Sequence, residues 1–569
     1  MCGIVGGIGL TREEAYECLL CIKRGNDGIT VKESGGVVVG SRRHLVKESW
    51  KHDVAPGESD QPYDSDDGKI HLVFNGELYN FRDIRDDLTK KGKTFHTEGD
   101  TEVFLKAYEH SGKDFVKNRE IDSMFAIAIH DENKRKLVIT RDWPGRLPLF
   151  YYYDRDKRVF IFSSELKGFR PLSWMDLAKP VELVPGYMAI LDLDTFELTL
   201  EQYYKPRPIK RSLPLLKVGE ELHKLLKRSA MHRTMGDVPI CTMLSGGIDS
   251  LLTTWYVLSN IDFKNVNYQP TSYVFAIDGY DSPDVARAKI AAEGLKTMGL
   301  RLKEVRASGD QVVRDIADII EIFEMRKIKA LSVYPLPIYY YLAPEMRKDG
   351  FKVTIGGHGV DELLGAYDSW KELDASHKVQ VNHKSRLIFI NAIYENMMRR
   401  ASIIFMNRGP IEARFPFLET NVCEYCLGID PKWLTISVEN AETLLALMDK
   451  RAGPKSAWPE QFAKIHSCLT GYLDSGGSHP AGADRAIVHE VEKLFWKLPL
   501  MVAGMYAVGE SELPFFTLFN AKLRGQHGSG LTSLEPKIVE HYKDLGKTDT
   551  EIFRSIVQKA YCLEGYSRC

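Results

Sequence analysis

VPICTMLSGGIDSLLTTWYVL, residues 238–258, decides how the larger part of this chain is read. An apolar run, Ile240 to Leu244, meets Ser245-Gly246-Gly247, and a second long apolar segment opens on Asp249 and Ser250. That pattern is a buried β-strand ending in a glycine turn that feeds a helix. Two adjacent glycines let the backbone approach a ligand with no Cβ in the way, and they present successive N–H groups. The helix N-terminus behind them adds donors and partial positive charge, so a phosphate or pyrophosphate fits there. Asp249, at the edge of the loop, is placed to hold a magnesium ion bridging the phosphates. The Gly-Lys-Ser/Thr ending of a Walker loop is absent.

Outward from this stretch the pattern repeats. TSYVFAI (271–277) and KVTIGG (352–357) are strands, each followed by a helix, and such alternation implies a parallel sheet with crossover helices. In KVTIGGHGVDELLGAY, 352–367, Asp361 and Glu362 open a helix after a glycine-rich turn. Ligands of parallel sheets sit at the C-terminal ends of the strands, which brings Asp361 toward the same metal and phosphates as Asp249. From about residue 375 the patterns are mainly helical, with an exposed loop at 475–485.

Upstream, YYKPRPIKRSLP (203–214) has three prolines and little apolar periodicity and reads as a linker. Residues 2–200 read as short strands, at 37–40, 70–76, 124–131, 136–142, 158–164 and 187–192, with two or three helices. One helix starts at Thr11, where Thr11 and Glu14 form a capping box; another is DTEVFLKAYEHSG, from Asp100 to a glycine stop.

The chain has 569 residues, 44% apolar and 27% charged, with a formal net charge of −2. That length exceeds one hydrophobic core and implies two to four domains. The near-zero charge offers no basic field for nucleic acid. No apolar run reaches the roughly 18 residues of a membrane span, and the charged residues after Leu10 do not fit a signal peptide. A cytoplasmic location is the expectation. Nine cysteines, an odd number, argue against a disulfide framework. The pairs Cys18/Cys21 and Cys423/Cys426 have zinc-ligand spacing but read as packed thiols.

The chain opens MCGIVGGIGL, with Cys2 directly behind Met1. Taken with LSGGIDS and GGHGVDE, this opening resembles the glutamine-dependent asparagine synthetases. Further matching pieces follow in order: Arg24-Gly25-Asn26-Asp27, Arg43, Gln61-Pro62, Asn75-Gly76-Glu77, Gly99-Asp100-Thr101-Glu102, RDWPGRLPL at 141–149 and SSELKGF at 163–169.

The resemblance implies an α+β N-terminal-nucleophile sandwich of αββα layers over residues 2–203. An α/β parallel-sheet ATP-pyrophosphatase domain with a helical C-terminal part would occupy 204–569. Once Met1 is cleaved, the α-amine of Cys2, with pKa about 7.7–8.0 against about 8.5 for the thiol, can take the thiol proton. Asn75 and Gly76 would stabilise the oxyanion, Arg43 and Asp100 would hold the carboxylate and amine of glutamine, and Glu77 would line that site. Leu244, Ser245, Gly246, Gly247, Asp249, Ser250, Val274, Gly356 and Gly357 would bind ATP, with Mg²⁺ on Asp249 and Asp361. NRGPIEARFPFLE (407–419) would shape the acceptor side, and Lys522 is a candidate for stabilising the phosphate in the transition state. His358 stands where the family carries a glutamate, so its role and that of Glu362 stay open. The substrates implied are glutamine, ATP and aspartate, or, because of His358, another carboxylic acid; a homodimer is left open.

Overall fold

The computed structural model describes residues 1–46, 60–118, 120–262, 266–325, 330–366, 385–395, 397–480, 482–509, 515–519 and 525–561. Among the described residues up to 202 there are twelve strands: β1 (Gly3–Ile8), β2 (Ile29–Ser34), β3 (Val37–Arg42), β4 (Tyr63–Asp64), β5 (Ile70–Leu78), β6 (Ser123–Asp131), β7 (Lys136–Arg141), β8 (Phe150–Asp154), β9 (Val159–Ser163), β10 (Val181–Glu182), β11 (Tyr187–Asp192) and β12 (Leu198–Gln202). They form two six-stranded sheets, ordered β10-β8-β9-β1-β3-β2 and β12-β11-β7-β6-β5-β4, with every pairing antiparallel.

Side chains alternate across each strand, so one face of each sheet meets the other sheet and the opposite face meets helices. Ile4, Val37, Val39, Val73, Ala126, Ala128, Ile139 and Phe162 fill the space between the sheets. The alternate residues Val5, Val38 and Ile161 pack instead with Ala15, Cys18 and Leu19 of α1 (Arg12–Cys21). Leu72, Phe74 and Ile127 pack with residues of α2 (Phe81–Lys90) and α3 (Asp100–Ser111). This is the expected αββα sandwich. The Thr11–Glu14 capping box forms on both sides, and Gly112 closes α3 at φ 58°.

The second sheet system has five parallel strands: β13 (Ile240–Met243), β14 (Thr271–Ile277), β15 (Arg301–Ala307), β16 (Val353–Ile355) and β17 (Glu412–Arg414), ordered β15-β14-β13-β16-β17. From β13 the chain moves outward to β14 on one side and later returns to β16 on the other, so the crossovers diverge between β13 and β16. A crevice opens there at the C-terminal ends of the strands. Helices α4 (Leu215–Arg233), α5 (Ile248–Asn260), α6 (Pro283–Gly294), α7 (Gly309–Phe323) and α8 (Leu336–Lys348) surround the sheet, and the chain beyond β17 is mainly helical. No helix among the described residues is long and apolar enough to cross a membrane. Cys18 and Cys21 lie on α1 and Cys423 and Cys426 on α9 (Thr420–Gly428), and all four are free thiols in no common cluster.

Candidate functional site

The first site forms where β1 begins. Gly3 pairs with Arg42 at the end of β3, so Cys2 and Arg43 emerge side by side from neighbouring strands. Burial raises the Cys2 thiol pKa, opposed by the chain's N-terminal ammonium, the backbone N–H of His44 and the charge of Arg43. With Met1 in place, its side chain is buried between the sheets and its ammonium donates to Glu412 Oε2 at 2.8 Å. Burial works against the Glu412 carboxylate, but the ammonium and the Arg414 guanidinium outweigh it and hold its pKa low.

Asn75, Gly76 and Glu77 lie on β5 of the facing sheet. Asn75 is fully buried, and neither its side-chain nitrogen nor its oxygen finds a partner among the described residues. A buried, unsatisfied amide is costly in a stable protein and calls for a ligand. Gly76 stands at φ 146°, and a Cβ there would run into the Met124 carbonyl. Asp100 opens α3 and accepts from the Leu78 N–H at 2.9 Å. Arg43 is paired with Asp60, a carboxylate of this chain in the role expected of a substrate carboxylate. Other matching pieces are scaffold: Arg24 donates to buried Glu165 at 2.6 Å, and Gln61 accepts from the Phe74 N–H at 2.7 Å.

The second site lies in the crevice. Gly246 sits at φ 75°, and Gly247 caps α5. The Ser250 hydroxyl accepts from the Ser245 N–H at 3.1 Å and donates to the Gly247 carbonyl at 3.0 Å, which holds the loop closed on itself. Leu244 donates its N–H to Tyr273 on β14, beside buried Val274. From β16, Gly356 and Gly357 follow directly, and a Cβ on Gly357 would lie 2.8 Å from the Asp249 carbonyl oxygen, so the two loops touch. Asp361 and Glu362 lie on α10 (Val360–Leu364), just beyond. His358 shares a 2.8 Å hydrogen bond with Tyr339 and meets the Phe415 ring edge-on.

The decisive contact is one the sequence reading did not name. Lys497 Nζ lies 2.6 Å from a carboxylate oxygen of Asp249 and 2.6 Å from one of Asp361. The two aspartates therefore converge on one cation position, and this all-oxygen donor pair suits a hard divalent ion. Lys522, the lysine named from sequence, lies outside the described residues.

A single short strand joins the sites. The Gly356 N–H donates to the Arg414 carbonyl of β17 at 3.0 Å, while the side chains of the same strand turn to the first site. Glu412 takes the Met1 ammonium; Arg414 donates to Glu412 at 2.7 Å and reaches to 3.8 Å from Glu77. From the segment expected to shape the acceptor side, the Arg414 carbonyl, the Phe415 ring and Leu418 reach the second-site loop, Phe415 against His358 and Leu418 against Gly359.

Comparison with known proteins agrees with this geometry. Residues 1–200 match a glutamine amidotransferase domain, and residues 221–386 match asparagine synthase. Relatives include the "Probable asparagine synthetase (glutamine-hydrolyzing)" of Dictyostelium discoideum, 29% identical over 65% of this chain and 65% of that protein. The asparagine synthetase (glutamine-hydrolyzing) of Sandersonia aurantiaca is 26% identical over 77% of this chain and 79% of its own length. Asparagine synthetase (glutamine-hydrolyzing) 2 of rice, Oryza sativa subsp. japonica, is 28% identical over 67% and 62%. The match thus spans less than two thirds of the Dictyostelium and rice proteins. With a glutamine amidotransferase domain followed by an asparagine synthase domain, the chain belongs to the asparagine synthetase family.

Proposed function

We propose that this protein is a glutamine-hydrolysing, ATP-dependent amide synthetase that converts aspartate to asparagine. The observation that carries the proposal is β17, whose backbone supports the loop of the second site while Glu412 and Arg414 meet the first. Two sites sharing a strand suit a reaction in which ammonia made at one is used at the other. We divide the chain into a glutaminase domain, 2–203, and a synthetase domain, 204–569.

Removal of Met1 vacates a buried position beside Cys2 and leaves the Cys2 α-amine free to take the thiol proton. The thiolate attacks the glutamine amide, and the Asn75 amide together with the Gly76 N–H receives the developing oxyanion, an effect typically about 3 kcal/mol per donor. Arg43 exchanges Asp60 for the glutamine carboxylate, Asp100 takes the ammonium of glutamine, and Glu77 lines the site. The adduct collapses with cleavage of the C–N bond, ammonia leaves with the proton held by the Cys2 amine, and water hydrolyses the remaining thioester to glutamate and the free thiol.

In the crevice, Leu244 to Gly247, Ser250, Val274, Gly356 and Gly357 bind ATP by their backbone and hydroxyl groups. Asp249 and Asp361 hold Mg²⁺. When bound, the ion neutralises phosphate charge. The aspartate side-chain carboxylate attacks the α-phosphate to form an acyl-adenylate, pyrophosphate leaves, and ammonia displaces AMP. Lys522 is proposed to stabilise the phosphate in that step.

A second reading keeps this mechanism with a different acid as acceptor. It rests on His358, which puts a ring held by Tyr339 where the family carries a fixed negative charge. Two assays separate the possibilities. Cys2→Ala should lose glutamate release from glutamine yet still make amide from added ammonium; release that persists removes Cys2 as nucleophile. ATP–pyrophosphate exchange should depend on L-aspartate; exchange with another acid alone favours the second reading.

A further inference from the structure

At the far end of the sandwich from Cys2, three side chains with metal-binding chemistry meet. His71 on β5 and His130 on β6 are directly opposite one another across the two strands. Strand alternation places His71 on the same face as Val73 and Asn75, the face that looks into the space between the sheets. His71 is four residues from Asn75, about 13 Å along the strand at 3.3 Å per residue, so the cluster is separate from the glutamine site. Glu132 follows immediately after β6. One donor atom from each of His71, His130 and Glu132 can be chosen so that all lie within 4.8 Å of one another.

The hydrogen bonding around these groups is incomplete in a specific way. Asp64 Oδ1 lies 2.7 Å from His71 Nδ1 and, as a carboxylate, takes the ring proton there. The other nitrogen, Nε2, lies 3.3 Å from Glu132 Oε1, in direct reach of that carboxylate. His130 is fully buried, and neither of its ring nitrogens has a hydrogen-bond partner among the described residues. Buried imidazoles are ordinarily satisfied, and an orphaned pair of ring nitrogens is an exception that calls for a cause.

We propose that His71 Nε2, one ring nitrogen of His130 and the Glu132 carboxylate bind a divalent transition-metal ion of the zinc class. Metal bonds of about 2.0–2.1 Å at tetrahedral angles put neighbouring ligand atoms about 3.3–3.4 Å apart, matching the His71–Glu132 separation; His130 closes by a small movement. Two imidazoles and one carboxylate are a zinc donor set with one position left over. The surroundings are those of a built site. Asp64 orients His71 as outer carboxylates orient metal-bound histidines, and Lys32 in turn holds Asp64. Lys69 donates to Glu132 at 2.9 Å, and the Ser34 hydroxyl also meets Glu132. Through Ser34, at the end of β2, the ion would tie the first sheet to the second and brace the end of the sandwich opposite the nucleophile.

The test uses the full chain, stripped with a chelator and then titrated with ZnCl₂ by calorimetry, with metal content checked by elemental analysis and melting followed in parallel. One zinc per chain is expected, with a melting temperature above that of the stripped protein. Glu132→Gln, at the partly exposed member, and His130→Gln should each weaken zinc binding at least tenfold while glutamate release from glutamine stays unchanged. Should His130→Gln fail to fold, Glu132→Gln decides. Stripped wild-type protein that takes up no zinc overturns the assignment, as does binding of undiminished affinity in Glu132→Gln, which would place the metal on thiols elsewhere.

Discussion

Lys497 shows how much a single side chain can carry. It is nearly buried, and its ammonium is shared between two carboxylates that are otherwise forced together at the mouth of the crevice. Removing one partner of such a cluster leaves uncompensated buried charge, at a cost of about 3–5 kcal/mol. Lys497→Ala should therefore lose about 3 kcal/mol of stability in the presence of a chelator. Millimolar MgCl₂ should restore more stability to the variant than it adds to wild type, as read by thermal melts. An identical magnesium effect in both proteins would mean that the aspartates do not form a cation site. Asp249 and Asp361 were legible because each stands at a fixed offset from a glycine turn at a strand end. Lys497 was not, because 248 residues separate it from Asp249 and nothing in FWKLPL marks it.

Among the elements, the Ser245–Ser250 turn is the most exacting. Gly246 adopts φ 75°, and a Cβ there would stand 2.5 Å from the Arg287 carbonyl carbon on α6. Gly247, by contrast, has φ −75° and ψ 154°, which any residue tolerates. Gly246→Ala should lose about 1–3 kcal/mol through backbone strain, with ATP–pyrophosphate exchange falling at least tenfold, whereas Gly247→Ala should melt much closer to wild type. Equal melting temperatures would show that the turn relaxes freely. β13, which runs into this turn, and β16, which runs into Gly356-Gly357, were legible as apolar runs ending in glycine. β15 was not, because RLKEVRA is an edge strand with most of its side chains at least partly exposed, and β17 was not, because three residues establish no period. β1 was hidden for a different reason. Its glycines look like a loop, yet they are what a crowded central strand needs where neighbouring strands press close.

At the scale of the whole molecule, the two halves are locked by buried charge. Asp122, at the foot of β6, accepts from Arg233 of α4 at 2.6 Å and lies 2.9 Å from His232. Burial pushes the Asp122 pKa up, but Arg233 and His232 outweigh it and hold the carboxyl well below its usual range. A depressed carboxylate stabilises the folded state fully above its unfolded pKa of about 3.9, and that stabilisation is lost as pH falls from there toward the folded pKa. Asp122→Asn should therefore cost about 3–5 kcal/mol at neutral pH, with the gap to wild type narrowing below about pH 4 in denaturant melts. A gap that does not change with pH would mean that the ion pair is not the source. The sequence by itself determined the order of the two domains and marked out the glycine turn with its aspartates, which follow local rules of strand, glycine and helix start, while Cys2 stood out only through the family resemblance. Only the tertiary structure decided that Lys497 bridges the aspartates, that β17 serves both sites and that His71 and His130 face a common point. Those facts depend on which strands and helices become neighbours, and packing chooses neighbours without leaving a spacing along the chain.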